Sequence, residues 1–171
     1  MKSIIIALLI ISSLVVSGQV KMIPQSNLTS EQQEVLDVVL TLFDGMREAD
    51  SSKVHSTFGN DPQLYTSFTN REGKAVLRKD EGLQKFLDAV GTPDDEIWDE
   101  PLWNVQINID GNLANVWTEY AFYAGGKFSH CGVDAFMLNK EESGWKIFHL
   151  TDTRKREGCD VPNKVKENRG E

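Results

Sequence analysis

The spacing of apolar residues changes near position 92. Before it, Val35, Val38, Val39, Leu42, Phe43 and Met46 recur at intervals of three and four, the mark of one buried helix face. Ser30-Glu31-Gln32-Gln33 stands ahead of them in the S-x-x-Q form of a capping box, so a helix is expected to begin there. A short second helix is expected over about 51–58, with Asp61-Pro62 as the break, after which Leu64, Thr66 and Phe68 alternate as a strand. Asn70 to Lys74 reads as a turn. Asp80 is placed to cap a third helix carrying Leu83, Phe86, Leu87 and Val90, and Gly91 to end it. Beyond Thr92 the period falls to two. Alternating runs at about 97–109, 113–123, 127–139 and 145–153 are divided by Asp110-Gly111, Gly125-Gly126 and Glu141-Glu142-Ser143-Gly144, all compatible with hairpins. Helices followed by a long meander imply an α+β domain over 30–154, with the helices covering one face of a curved sheet.

The ends of the chain read differently. Residues 1–18 have a short basic start, an apolar run from Ile4 to Val16 and small residues at Val16-Ser17-Gly18, the layout of a secretory signal peptide. That run falls short of the roughly 20 apolar residues that span a bilayer, so no stable membrane anchor is expected in the mature chain. A soluble exported protein follows, periplasmic or secreted, with 19–29 as a linker. In an oxidising compartment Cys131 and Cys159 can pair; the alternative is a buried free Cys131 and a mobile Cys159. Residues 155–171 hold little apolar content and read as a loose polar tail.

Charge narrows the partners. The 171 residues carry 26 acidic and 18 basic side chains, a formal net charge of −8, and eight carboxylates but no Lys or Arg lie between Lys85 and Lys127. Nucleic acid is excluded as a partner on that basis, because phosphate recognition needs a basic stripe. Asp94-Asp95-Glu96 with Asp99 and Glu100 is a carboxylate run that reads first as a solvated loop. Three histidines without ligand spacing give no dedicated metal site, and no phosphate loop, dinucleotide fingerprint or nucleophile elbow implies a cofactor.

Taken together, the capped first helix, the strand after "GNDPQLYTSF", the helix "GLQKFLDAV" and the meander from "WNVQINIDGNLANVW" to "GWKIFHLTDTR" resemble the nuclear transport factor 2-like superfamily, in particular its SnoaL-like bacterial members. The resemblance covers about 30–154. It implies a cone-shaped roll of three N-terminal helices packed on a strongly bent, mainly antiparallel sheet, with a pocket at the open end and frequent homodimers. It implies little about activity, since the same cone serves isomerases, dehydratases, cyclases and non-enzymatic binders. The carboxylate base and helix-borne tyrosine of the superfamily's ketosteroid isomerases have no counterpart in Leu64-Tyr65-Thr66-Ser67-Phe68 or at Leu42 and Phe43.

Candidate site residues come from the hairpins. With a two-residue loop at Gly125-Gly126, Trp117 is expected opposite Asp134, Glu119 opposite Gly132 and Ala121 opposite His130. Trp117, Glu119, His130, Asp134 and Phe136 then share one sheet face, and a four-residue loop at Glu141 to Gly144 adds His149. The same count sends Tyr120 to the other face. This polar-aromatic face is expected to bind a small, partly apolar molecule. A cofactor-independent lyase or isomerase, with His130 as base and Asp134 orienting it, is the catalytic alternative. A dimeric interaction module using the outer sheet face is the third. A one-residue change in either pairing would reverse these faces.

Overall fold

The computed structural model describes residues 28–92 and 96–167; the expected leader at 1–18, Asp94, Asp95 and the last four residues lie outside the described residues. Helix α1 spans Ser30–Arg47 and buries Val35, Leu36, Val39, Leu42, Phe43 and Met46, the face predicted by spacing. Its capping box lies one residue earlier than expected. Thr29 Oγ1 accepts the Gln32 N–H at 3.2 Å, and Gln32 Oε1 accepts the Thr29 N–H at 3.0 Å. The Gln32 amide also donates to the Ile107 carbonyl at 3.2 Å, tying the helix start to the sheet.

Helix α2 (Ser51–Ser56) is capped by Asp50 and ends two residues short of Phe58, which already belongs to strand β1 (Phe58–Thr69). Asp61, at φ 47°, and Pro62 form an irregularity within that strand. Strand β2 (Ala75–Lys79) was not expected; it is an exposed edge strand on β1, so it lacks the alternation that marks a half-buried one. Helix α3 (Leu83–Val90) follows Gly82 without a side-chain cap, while Asp80 faces Arg78 at 3.8 Å instead of capping. Gly91 does close the helix.

The run expected at 97–109 is two strands, β3 (Trp98–Asp99) and β4 (Leu102–Asp110), separated at Glu100-Pro101 because proline has no N–H to continue a ladder. Strands β5 (Leu113–Ala124), β6 (Lys127–Glu141) and β7 (Gly144–Thr153) complete the meander. Among the described residues seven strands run β2-β1-β7-β6-β5-β3 with β4 also on β5, and only β1 with β7 is parallel. The helices lie on one face, where α1 meets Val116, Phe136, Leu138 and Ile147. Phe43 stands edge-on to Phe136 at 6.2 Å. Each such fully buried side chain is worth about 1.5–3 kcal/mol, which is how α1 is held to the sheet.

Two bulges decide which residues share that face. Ala124 and Tyr123 pair with Lys127 and Phe128 as the Gly125-Gly126 turn requires, but Ser129 is extra, and Phe122 then pairs with His130. From there the register is one residue off the expected count: Tyr120 faces Gly132, Thr118 faces Asp134 and Trp117 faces Ala135. The second slip falls at Phe148 between β6 and β7. Leu138 pairs with Ile147, but Met137 pairs with His149, Phe136 with Leu150 and Asp134 with Asp152. A bulge inserts one unpaired residue and reverses the alternation beyond it.

The stretch after β7, read from composition as a loose tail, is fastened to the outer sheet face. Lys155 exchanges two backbone hydrogen bonds with Cys131 at 2.9 and 3.0 Å. Cys159 forms a disulfide with Cys131, so the pairing alternative holds. Val161 is buried against Ala121 and Tyr123, and a short helix α4 (Asn163–Glu167) follows. Closing a loop of this length stabilises the fold by roughly 3–4 kcal/mol in the loop-entropy picture.

Candidate active site: a carboxyl pair at the end of the cone

Helices α1 and α3 and the inner face of the sheet enclose a cavity of about 1040 Å³. Its apolar wall includes Phe43, Phe86, Trp98, Phe122 and Leu150, with Trp98 edge-on to Phe122 at 5.8 Å. Toward one end the wall turns polar, where Tyr120, His130, Asp134 and Asp152 project from β5, β6 and β7 and Glu100 from the β3–β4 break. Pro101 has a part in this. By interrupting the strand it lets Glu100 leave the ladder and turn inward, where it is buried.

Glu100 and Asp134 meet at this end of the cavity. Their side chains hydrogen-bond to each other, and both are held well above the ordinary carboxylate range, Glu100 at about 7. Burial is the main cause for both; Glu100 and Asp152 add to it at Asp134, whereas at Glu100 the hydrogen bond with Asp134 opposes it and the Asp152 charge adds to it. Asp134 Oδ2 has no hydrogen-bond partner among the described residues. Two carboxyls this close, with Glu100 at about 7, titrate as a unit rather than singly. Thr66 Oγ1, on the β1 wall and 1% exposed as a residue, also has no hydrogen-bond partner among the described residues.

Beside the pair, the Tyr120 hydroxyl donates to the Thr153 carbonyl at 2.9 Å and approaches Asp152 Oδ2 at 3.3 Å. Burial and the three carboxyl groups around it push its pKa far up, so it remains a phenol. Asp152 also accepts from the Arg154 guanidinium. His130 stacks at a tilt on Phe122 at 5.1 Å and edge-on to Tyr120 at 5.7 Å, with Ser129 Oγ 3.0 Å from its Nδ1. Burial, then the Arg154 charge, lowers its pKa to about 4, so the imidazole is neutral at pH 7.

The six residues expected on one face divide. His130, Asp134 and Phe136 lie inside the cone, but no hydrogen bond joins His130 to Asp134, whose partner is Glu100. Trp117, Glu119 and His149 are on the outer face. Trp117 is 48% exposed, Glu119 accepts from Trp103 Nε1 at 2.8 Å and Asn104 Nδ2 at 3.0 Å, and His149 stacks on Tyr65 at 5.5 Å. Tyr120 moves the opposite way and joins the acid group. The reason in each case is the slipped register. Of the carboxylate run, Glu100 is buried in the cavity and Asp99 accepts from Arg47 at 2.8 Å. Glu100, Asp152 and Arg154 were missed as site residues; Pro101 was the available sign that Glu100 leaves the strand.

No family model and no curated protein sequence matches the chain. Solved structures do. A nuclear transport factor 2-like protein of unknown function from Shewanella baltica superposes with a TM-score of 0.55 at 16% identity, over 76% of this chain and 99% of that one. The fold is nuclear transport factor 2-like. Another protein so described, from Cytophaga hutchinsonii, gives 0.58 at 11% identity over 74% of this chain and 100% of its own. A provisionally named dehydratase of the same family from Streptomyces avermitilis gives 0.52 at 14%, over 73% and 96%. At these identities the nuclear transport factor 2-like cone is what is shared, and the chemistry must be argued from the cavity.

Proposed function

We propose that this chain is an exported protein that binds a small, partly apolar molecule in its cone and catalyses proton transfer on it without a cofactor, as a lyase or isomerase. The observation that carries the catalytic part is the Glu100–Asp134 pair on the wall of a large, partly aromatic cavity. Two buried carboxyls sharing a proton are costly to keep in a fold, and they supply what proton abstraction or elimination needs: a base and an acid at the same place and at neutral pH. In this reading Asp134 or Glu100 takes the substrate proton and the other returns it, while neutral His130 and the Tyr120 phenol orient polar groups of the substrate. The roles expected for His130 and Asp134 are thus redistributed, with the base in the carboxyl pair. The dehydratase assignment of the Streptomyces neighbour is in keeping with this class.

Support for export is the leader pattern at 1–18 together with the Cys131–Cys159 disulfide, a bond that persists in oxidising compartments. The same proposal includes a homodimer of two copies through the outer sheet face, where Trp117 stands exposed beside the half-buried Val133, Ala135 and Met137. A native mass spectrum of protein purified from its exported location tests the mass of the assembly and of any retained molecule together. A small mass lost on denaturation identifies the ligand, and turnover of that compound or its relatives is then compared between the wild type and Asp134→Asn. Turnover unaffected by Asp134→Asn would remove the catalytic reading.

A further inference from the structure

The cavity opening has the opposite charge to the molecule. Arg71, Arg78, Arg154, Lys155 and Arg156 all border it, in a chain whose formal net charge is −8. The facing acids at this opening are Asp80, 3.8 Å from Arg78, and Asp152, bonded to Arg154. Arg71, Lys155 and Arg156 have no ion-pair partner among the described residues. The rim charges are felt at His130, where Arg154 and Arg156 act in one direction and Asp152 in the other. Three separate segments converge to build this rim: the β1–β2 turn, β2, and the chain just beyond β7, which the bridge to Cys131 holds in place. Arg78 also lies over the Phe68 ring at 5.5 Å, so its charge is fixed where the apolar wall begins.

We infer that the ligand is an amphipathic anion, an apolar or aromatic body seated in the cone with a carboxylate, sulfonate or phosphate group at the Arg71–Arg78–Lys155–Arg156 rim. This deepens the proposed function and rests on the cone being a ligand site. The end-to-end arrangement follows from where the groups stand. The carboxyl pair lies within the cavity and would repel an anion, while Thr66 Oγ1 and the aromatic wall accept a neutral body. A cation would meet the rim first and be turned away; an anion is drawn to it and oriented.

The test uses two probes with one arene skeleton, anionic 8-anilinonaphthalene-1-sulfonate and neutral N-phenyl-1-naphthylamine, titrated by fluorescence, with methyl NMR signals of Met46, Leu64 and Leu150 reporting entry into the cavity. Both probes should shift those methyls, and the sulfonate should bind at least about tenfold tighter at low salt. Raising salt from about 20 to about 500 mM, or the exposed triple variant Arg71→Gln/Lys155→Gln/Arg156→Gln, should erase most of that preference and leave the neutral probe unchanged. If the neutral probe enters and the sulfonate binds no better, the anionic assignment is overturned while the cavity stands. If neither probe moves the methyls, the reading of the cone as a ligand site falls, and this inference with it.

Discussion

Glu100 and Asp134 hold their proton more tightly in the folded chain than in the unfolded one, and this has a measurable sign. The folded state then binds more protons than the unfolded state between the ordinary carboxylate range and about pH 7, so stability must fall as pH rises through that window. For Glu100 the loss is on the order of 3 kcal/mol, complete above about pH 7. His130 works against it. Its folded pKa is depressed to about 4, so its contribution is present above the ordinary histidine range and is lost on acidification toward about 4. Urea denaturation at pH 4.5, 6 and 8 should therefore show the wild type losing stability toward pH 8. The double variant Glu100→Gln/Asp134→Asn should lose that decline and keep only the rise with pH that His130 supplies. Asp134→Asn alone separates function from stability: at pH 8 it should raise unfolding free energy by about 2 kcal/mol, since an amide can donate to Glu100, while turnover of the retained molecule falls at least about a hundredfold. A loss of both together would mark Asp134 as a structural residue.

Between residues and molecule stand the strands, and there the reading of the sequence divides. Helix faces and strand runs follow from period and turn residues, because burial on one side imposes them; α1 and the meander were legible for that reason. The two single-residue slips were not. Ser129 and Phe148 have nothing in their composition that marks them as unpaired, and each reverses every alternation beyond it. So His130 and Asp134 were grouped with the wrong companions, and Tyr120 was sent to the far side. Gly132 shows the same limit. A Cβ there would lie 1.8 Å from the Thr153 carbonyl oxygen, because β7 closes over β6 as it delivers that oxygen to the Tyr120 hydroxyl. Gly132→Ala should consequently cost more than about 3 kcal/mol or prevent folding. Gly73→Ala, in a turn with open space around it but φ +77°, should cost only about 1 kcal/mol from backbone strain. Thermal melts of the two variants side by side check this, and equal costs would contradict the close packing at Gly132.

At the scale of the whole molecule, the cone is an apolar floor and a polar end joined by one sheet. Val116, Phe136 and Leu138 serve the core under α1, and farther along the same strands Tyr120 and Asp134 line the cavity. Packing and chemistry thus use consecutive inward positions, which is why a single face looked at once too polar for a core and too apolar for a surface. The outer face is finished by the covalently held C-terminal segment. Cys131→Ser/Cys159→Ser should lower unfolding free energy by roughly 3 kcal/mol and release amide protection over 155–167 before the sheet itself opens, as hydrogen exchange would show.

That disulfide also has a consequence in time. Lys155 and Arg156 lie on the segment that it secures, four and three residues ahead of Cys159. While the two thiols are unjoined, this part of the opening is held by non-covalent contacts alone, the backbone bridge between Lys155 and Cys131 and the burial of Val161 among them. A newly made chain can therefore build its core before its entrance is complete. On the export proposed above, oxidation would be the last step of maturation, and a chain not yet oxidised would carry the cavity with its basic rim unsecured.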